Sequence, residues 1–173
     1  MNKRILLALS IIVTSVLVFS FHLFDTNKNN ENNISPTREV SSGKETKTFT
    51  SSNVLNFSIV VPSEYDVTES VASVDIINSN NKISIIRNST NHANLIDYLS
   101  YHDSLRNIEN TLTIEEMIDG YESAARISHY TDIDKHVKSY FIFINSDVYI
   151  LSTEDEEMYE DLDRIAKSFK YLP

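Results

Sequence analysis

"SYFIFINSDVYIL", residues 139–151, is apolar on both sides of an extended chain. Successive side chains of a strand leave on opposite faces, so Tyr140, Ile142 and Ile144 point one way and Phe141 and Phe143 the other. A strand that is apolar on both sides must be covered on both. This one therefore belongs in the interior of a sheet, with material above and below it. Asn145, Ser146 and Asp147 break the run with turn residues, and Val148 to Leu151 resumes it as the natural neighbouring strand.

Working outward, "LNFSIVVP" alternates Leu55, Phe57, Ile59 and Val61 with Asn56, Ser58 and Val60 before Pro62 ends it. That pattern is expected of a half-buried strand near a sheet margin. "SVDII" and "KISII" flank the polar turn Asn78 to Asn81 and read as a hairpin. A second hairpin joins "TLTIEEMI" to "YESAARISHY" through Asp119-Gly120, residues that tolerate the positive φ of a tight turn; "TIEEMI" also admits a helical start. Two helices are expected as the covering layers. "NLIDYLSYHDSLR" places Leu95, Tyr98, Leu99, His102 and Leu105 along one face, with Asn94 or Asn91 to cap it. "TEDEEMYEDLDRIAKSFKYL" repeats Met158, Leu162, Ile165 and Phe169 at helical spacing, with Thr153 and Glu156 as a capping box and Lys167 and Lys170 in the last turn. The fold class is α+β, a mostly antiparallel sheet sandwiched between helices over residues 53–173, preceded by one transmembrane helix.

The strings "FSIVVPSEY" (Phe57 to Tyr65), "NLIDYL" (Asn94 to Leu99) and "VYILSTEDEEMYEDLDRIAKSFKYL" (Val148 to Leu172) occur in an order that resembles the PsbP-like fold family. That family is named for the photosystem extrinsic subunit PsbP and includes LpqN- and DcrB-type bacterial lipoproteins. The resemblance covers most of the segment from Asn53 to Pro173. It implies an α/β/α body and a non-enzymatic accessory or binding domain outside a membrane, and it carries over no site residue. The chain departs from the pattern in having no tryptophan, with Tyr65 following the first strand's proline, and no cysteine for lipid attachment.

Ile5 to Phe24 contains no charged residue and follows Lys3 and Arg4. At about 1.5 Å per residue it is long enough as a helix, about 30 Å, to cross a bilayer. Residues 1–24 are accordingly expected to be a signal-anchor transmembrane helix, with the amino end cytoplasmic and the remainder outside. Cleavage near Ser20, giving a secreted product, is the alternative. Residues 25–52 are polar, with only Ile34, Val40 and Phe49 as sizeable apolar side chains, and are expected to be a disordered tether.

The 173-residue chain has 15 Lys+Arg and 25 Asp+Glu; 6 and 4 of these lie in the first 52 residues, which leaves −12 on the folded part. So acidic a surface disfavours nucleic acid as a partner and tolerates basic proteins or cations. With Gly43 and Gly120 the only glycines, no phosphate-cradling loop can form, and there is no HExxH motif or thiol. No cofactor is called for. One cluster invites metal chemistry: His129, Asp132, Asp134 and His136 of "HYTDIDKH", which a hairpin would bring near a single zinc-like ion. It is not an EF-hand, because Val137 and Phe143 stand where glycine and glutamate are needed. The acidic run Glu154 to Glu157 reads as a helix start or a weak calcium surface. Three functions follow: an anchored extracytoplasmic accessory domain that binds a protein or small molecule without catalysis, a metal-dependent hydrolase using the His129–His136 loop, or an architectural component of an envelope complex.

Overall fold

Alternation of apolar and polar positions produces ten strands among the described residues, and hydrogen-bonded pairing gathers them into two sheets. The computed structural model describes residues 45–105 and 108–173. The elements are β1 (Thr46–Thr50), β2 (Phe57–Pro62), β3 (Asp66–Glu69), β4 (Ser73–Asn78), β5 (Asn81–Ser89), helix α1 (Leu95–Ser104), β6 (Ile108–Ile118), β7 (Tyr121–Tyr130), β8 (Lys135–Ile144), β9 (Asp147–Thr153), a 3-10 turn (Glu156–Met158), helix α2 (Tyr159–Lys167) and β10 (Lys170–Tyr171). The expected membrane helix and the expected tether as far as residue 44 lie outside the described residues. Among the described residues no helix is long and apolar enough to cross a membrane.

Seven strands form one sheet in the order β3-β4-β5-β9-β8-β7-β6, and three form another in the order β1-β2-β10. Their pairings are antiparallel throughout. The two-sided strand of the sequence is β8, an interior strand, with Phe141 opposite Ile150 and Ile142 opposite Tyr149 on β9. Asn145 (φ 50°) and Ser146 (φ 67°) both take the left-handed conformation that a two-residue hairpin requires. Asp119 (φ 52°) and Gly120 (φ 79°) do the same between β6 and β7, so "TIEEMI" is strand and not helix.

The two faces are covered by different layers. On one, Tyr140, Ile142, Ile144, Tyr149 and Leu151 pack with Phe57, Ile59 and Val61 of β2 and with Leu162, Ile165 and Phe169 at α2. The Phe57 and Phe169 rings stack at 5.4 Å, and Tyr149 meets Phe57 edge-on at 6.0 Å. On the other face, Leu95, Tyr98 and Leu99 of α1 cover Ala124 and Val148, with Phe141, Phe143 and Ile150 half-buried beside them. The layered body is thus present, but α2 shares its side with a small sheet that the sequence pattern did not announce.

That small sheet corrects two expectations. Thr46–Thr50 falls in the stretch expected to be tether, yet it pairs along its whole length with β2. β-branched threonines alternate with Lys47 and Phe49, and Phe49 reaches Phe57 at 6.4 Å. Lys47 Nζ donates to the carbonyls of Ser63 (3.1 Å) and Tyr65 (2.5 Å), pinning the strand's start. Composition fails here because a strand borrows its hydrogen bonds, and much of its burial, from a partner remote in sequence. With neighbours on both sides, β2 is the middle of the small sheet and not the margin of the large one.

The helix ends also differ. Asn94 caps α1 as expected, its side chain accepting from Asp97 N at 2.8 Å, but Leu105 lies past the helix and is 61% exposed. Thr153 remains in β9, donates to Lys82 O at 2.7 Å and accepts from Asp155 N at 3.1 Å, so it forms no capping box with Glu156. The chain turns first through Glu156–Met158 and only then enters α2. Met158, Leu162, Ile165 and Phe169 are nonetheless all buried, as their spacing requires.

Because Ile142 is fully buried and Phe141 only half-buried, the two faces are expected to respond unequally to truncation. Ile142→Ala should cost about 2 to 5 kcal/mol in urea unfolding and Phe141→Ala less, despite its larger side chain. The reverse order would place the dominant core under α1.

Candidate functional site

The hairpin of β7 and β8 sets His129 directly opposite His136. Their rings stack with centroids 4.5 Å apart and planes 10° from parallel. Between them the chain turns through Thr131 to Asp134, where Asp134 takes φ 50° and brings Oδ1 to 2.9 Å from His129 Nε2. Asp132 is exposed in the same turn. Three of the four sequence candidates are therefore neighbours. Their arrangement is a stack, however, and imidazole lone pairs lie in the ring planes, so near-parallel rings do not aim at one ion. Among the described residues no group of three or more His, Cys, Asp or Glu side chains is placed to hold a metal.

The hairpin tip instead forms one wall of a cleft of about 510 Å³, lined by Asp134, Lys135, His136, Glu154, Asp155 and Glu156. Antiparallel pairing of β8 with β9 carries the acidic run to the side of the hairpin, so two stretches separate in sequence meet. Lys135 Nζ pairs with Glu154 at 2.5 Å. Asp155 accepts from Lys82 N at 2.9 Å, and Glu157 from Asn81 Nδ2 at 3.1 Å. The acidic run thus holds the β4–β5 turn as well as opening the approach to α2. Chemically the cleft offers carboxylates, one paired lysine and an imidazole at an exposed surface.

Buried polar groups elsewhere hold elements together. Asp147 accepts from Arg87 at 2.6 Å and from Ser89 at 2.6 Å. Burial pushes its carboxyl upward, but those two donors outweigh burial and hold it below the usual carboxylate value. Arg87 also donates to Val54 O at 2.5 Å, tying β5 to the segment before β2. Tyr65 donates to Asp161, which also accepts from Arg164. Burial first, and then the Asp161 carboxylate, push the Tyr65 hydroxyl up to about 12. Tyr140 donates to Asp163 at 2.8 Å, where Lys138 pairs at 2.6 Å; burial raises this hydroxyl too. Tyr149 donates to Leu55 O at 2.8 Å, and burial pushes it up to about 12.

Apart from Asp161 with Arg164, three residues apart on one helix, none of these partnerships was visible in the sequence, since each joins segments brought together only in the fold. A further group was half visible. Tyr98 and His102 lie one helical turn apart and meet at 4.3 Å, while His92 from the preceding loop adds its ring 5.1 Å from Tyr101.

No family model matches the chain, and no curated protein does. Solved structures do. The solution structure of cyanobacterial PsbP (CyanoP) from Synechocystis sp. PCC 6803 aligns with a TM-score of 0.51 at 9% identity, over 79% of this chain and 98% of that one. A protein from Bacteroides thetaiotaomicron VPI-5482 aligns with a TM-score of 0.52 at 14% identity, over 73% of this chain and 48% of that one. The chain thus spans about half the length of the Bacteroides protein. The fold is PsbP-like: a mostly antiparallel sheet with two helices.

The buried hydroxyls set a pH dependence. Unfolded tyrosine loses its proton near pH 10, whereas Tyr65 and Tyr149 hold theirs to about 12 in the folded chain. Their contribution is complete below pH 10 and is lost as pH rises toward 12, on the order of 2 kcal/mol for each. Urea unfolding between pH 8 and about 11.5 should show this decline. Tyr149→Phe should make it shallower; an unchanged slope would mean the hydroxyl titrates freely.

Proposed function

We propose that this chain is an extracytoplasmic accessory domain, anchored in the membrane by Ile5 to Phe24, that binds a protein or small-molecule partner and performs no catalysis. The observation carrying this reading is the use to which most of the perturbed groups are put; Tyr159, whose hydroxyl burial also raises, is the exception in having no hydrogen-bond partner among the described residues. An active site keeps such groups facing a cleft, where a substrate can meet them. Here Asp147 is committed to Arg87 and Ser89, Tyr65 to Asp161, Tyr140 to Asp163 and Tyr149 to a backbone carbonyl. The cleft beside the hairpin is lined by groups of another kind, exposed carboxylates with a lysine and an imidazole. A PsbP-like body resembling accessory domains outside membranes supports the same reading. The acidic balance supports a basic partner and not nucleic acid.

Metal-dependent hydrolysis through His129, Asp132, Asp134 and His136 is the competing reading, favoured by the closeness of His129, Asp134 and His136. The stacked rings oppose it. Isothermal titration with zinc is expected to give the same heat for wild type and for the His129→Ala, His136→Ala double variant. A heat lost in the variant would favour the metal.

Anchoring and accessory function have their own tests. Alkaline carbonate extraction is expected to leave the full-length chain in the membrane pellet, whereas a soluble product shortened near Ser20 would mean secretion. Cross-linking in intact cells is expected to give one discrete adduct. A ladder of assembly neighbours would favour the architectural role.

A further inference from the structure

The four sheet edges are not alike. β3 is four residues long, and its Glu69 carboxylate accepts from Ser52 N (3.0 Å) and Ser52 Oγ (2.5 Å), so a neighbouring segment is tied to that edge. β10 has two residues, and Tyr171 N donates to Asp119 at 3.1 Å. β1 has five residues, with Lys47 among them. Short length, cover and lysine are the usual protections of an edge. β6 has eleven residues and, among the described residues, pairs on one side only, with β7.

Its free side also has a readable pattern. Ile114 lies opposite Ala125 and Glu116 opposite Ser123, which puts both on the face of the main core together with buried Ile118. Glu115 lies opposite Ala124 and Met117 opposite Glu122, on the face covered by α1. Ile114 is 45% and Met117 65% exposed, large apolar surfaces to leave beside an open ladder. Each face thus presents one apolar and one acidic side chain along the edge.

We propose that the free edge of β6 receives an extended segment of a second, basic protein as an added strand, in the pattern apolar, basic, basic, apolar opposite Ile114, Glu115, Glu116 and Met117. This rests on the accessory reading and names the partner's chemistry. Main-chain hydrogen bonds supply the attachment, and the cross-strand side chains select the sequence. Two lysines or arginines meet Glu115 and Glu116, and two apolar residues extend the cover of Ile114 and Met117. A second copy of this chain fits poorly. Paired about the middle of the strand, with the sheet faces kept continuous, it sets Glu115 against Glu115 or Glu116 against Glu116, and it joins two acidic bodies.

The test is fluorescence anisotropy with full-length protein and a labelled decapeptide centred on Val-Lys-Lys-Val. Controls are the Val-Glu-Glu-Val peptide and a scrambled peptide of the same composition. Wild type should prefer Val-Lys-Lys-Val, and hydrogen exchange should show new protection over residues 113–117. The Glu115→Lys, Glu116→Lys variant should bind that peptide about tenfold more weakly and acquire Val-Glu-Glu-Val instead. Equal binding of the scrambled peptide, or no exchange of preference in the variant, overturns the proposal. So does a wild-type dimer that Ile114→Lys separates, because a second copy then holds the edge. If the cellular cross-linked adduct persists in the charge-reversed variant, the accessory reading stands and the β6 assignment falls. If wild type gives no adduct at all, the accessory reading itself falls.

Discussion

Burial of β9 from both sides is the constraint on which the rest depends. It lies fourth of seven strands, between β5 and β8, and its side chains leave alternately into the two cores: Tyr149 and Leu151 into one, Val148 and Ile150 into the other. An antiparallel sheet wetted on one side would have left Val148 and Ile150 in water. Covering them fixes α1 on that side. Tyr149 and Leu151 in turn require α2 and the β2 sheet on the other. The asymmetry between the layers follows from their content, since one short helix covers less area than a helix combined with three strands.

How far this was legible depended on whether the information was local. The two-sided run at Tyr140 to Ile144, the hairpins at Asn78 to Asn81 and at Asp119-Gly120, and the Asn94 cap were all readable, because periodicity and turn chemistry are carried by adjacent residues. The small sheet was not. Thr46–Thr50 has little apolar content of its own, and β10 has only two residues, so neither signals a strand until β2 is placed beside it. The Thr153 capping box failed for a similar reason: a remote carbonyl, that of Lys82, accepts the hydroxyl's hydrogen bond. Among the site candidates, the approach of His129 to His136 was legible from the hairpin. The stacking of their rings was not, because ring orientation depends on side-chain rotamers and not on register.

The acidic run Glu154 to Glu157 shows why charge alone underdetermines a role. In sequence it is a helix start or a cation surface. In the fold Glu154 pairs with Lys135, Asp155 takes the Lys82 amide and Glu157 takes the Asn81 amide, so three of its four residues brace neighbouring segments. The same economy extends to three buried tyrosines: the hydroxyl of Tyr140 holds α2 to the large sheet, that of Tyr149 holds the segment before β2 to it, and that of Tyr65 ties the β2–β3 connection to α2. Among the described residues, the long outer side of β6 is what remains of open ladder on an otherwise protected body.

The central strand of the small sheet is bordered by the first and last strands of the described chain, with Leu172 N donating to Asn56 O at 2.8 Å and Ser168 Oγ accepting from Val60 N at 2.8 Å. β1 reaches β2 through a short local connection, whereas β10 joins the same strand from a position remote in sequence. Until Phe169 docks, the aromatic cluster around Phe57 lacks its stacking ring and the main core stays open on that side. Closure of the body therefore waits on a contact remote in sequence, and any fragment ending before α2 would expose that surface to aggregation instead of folding stepwise from its beginning.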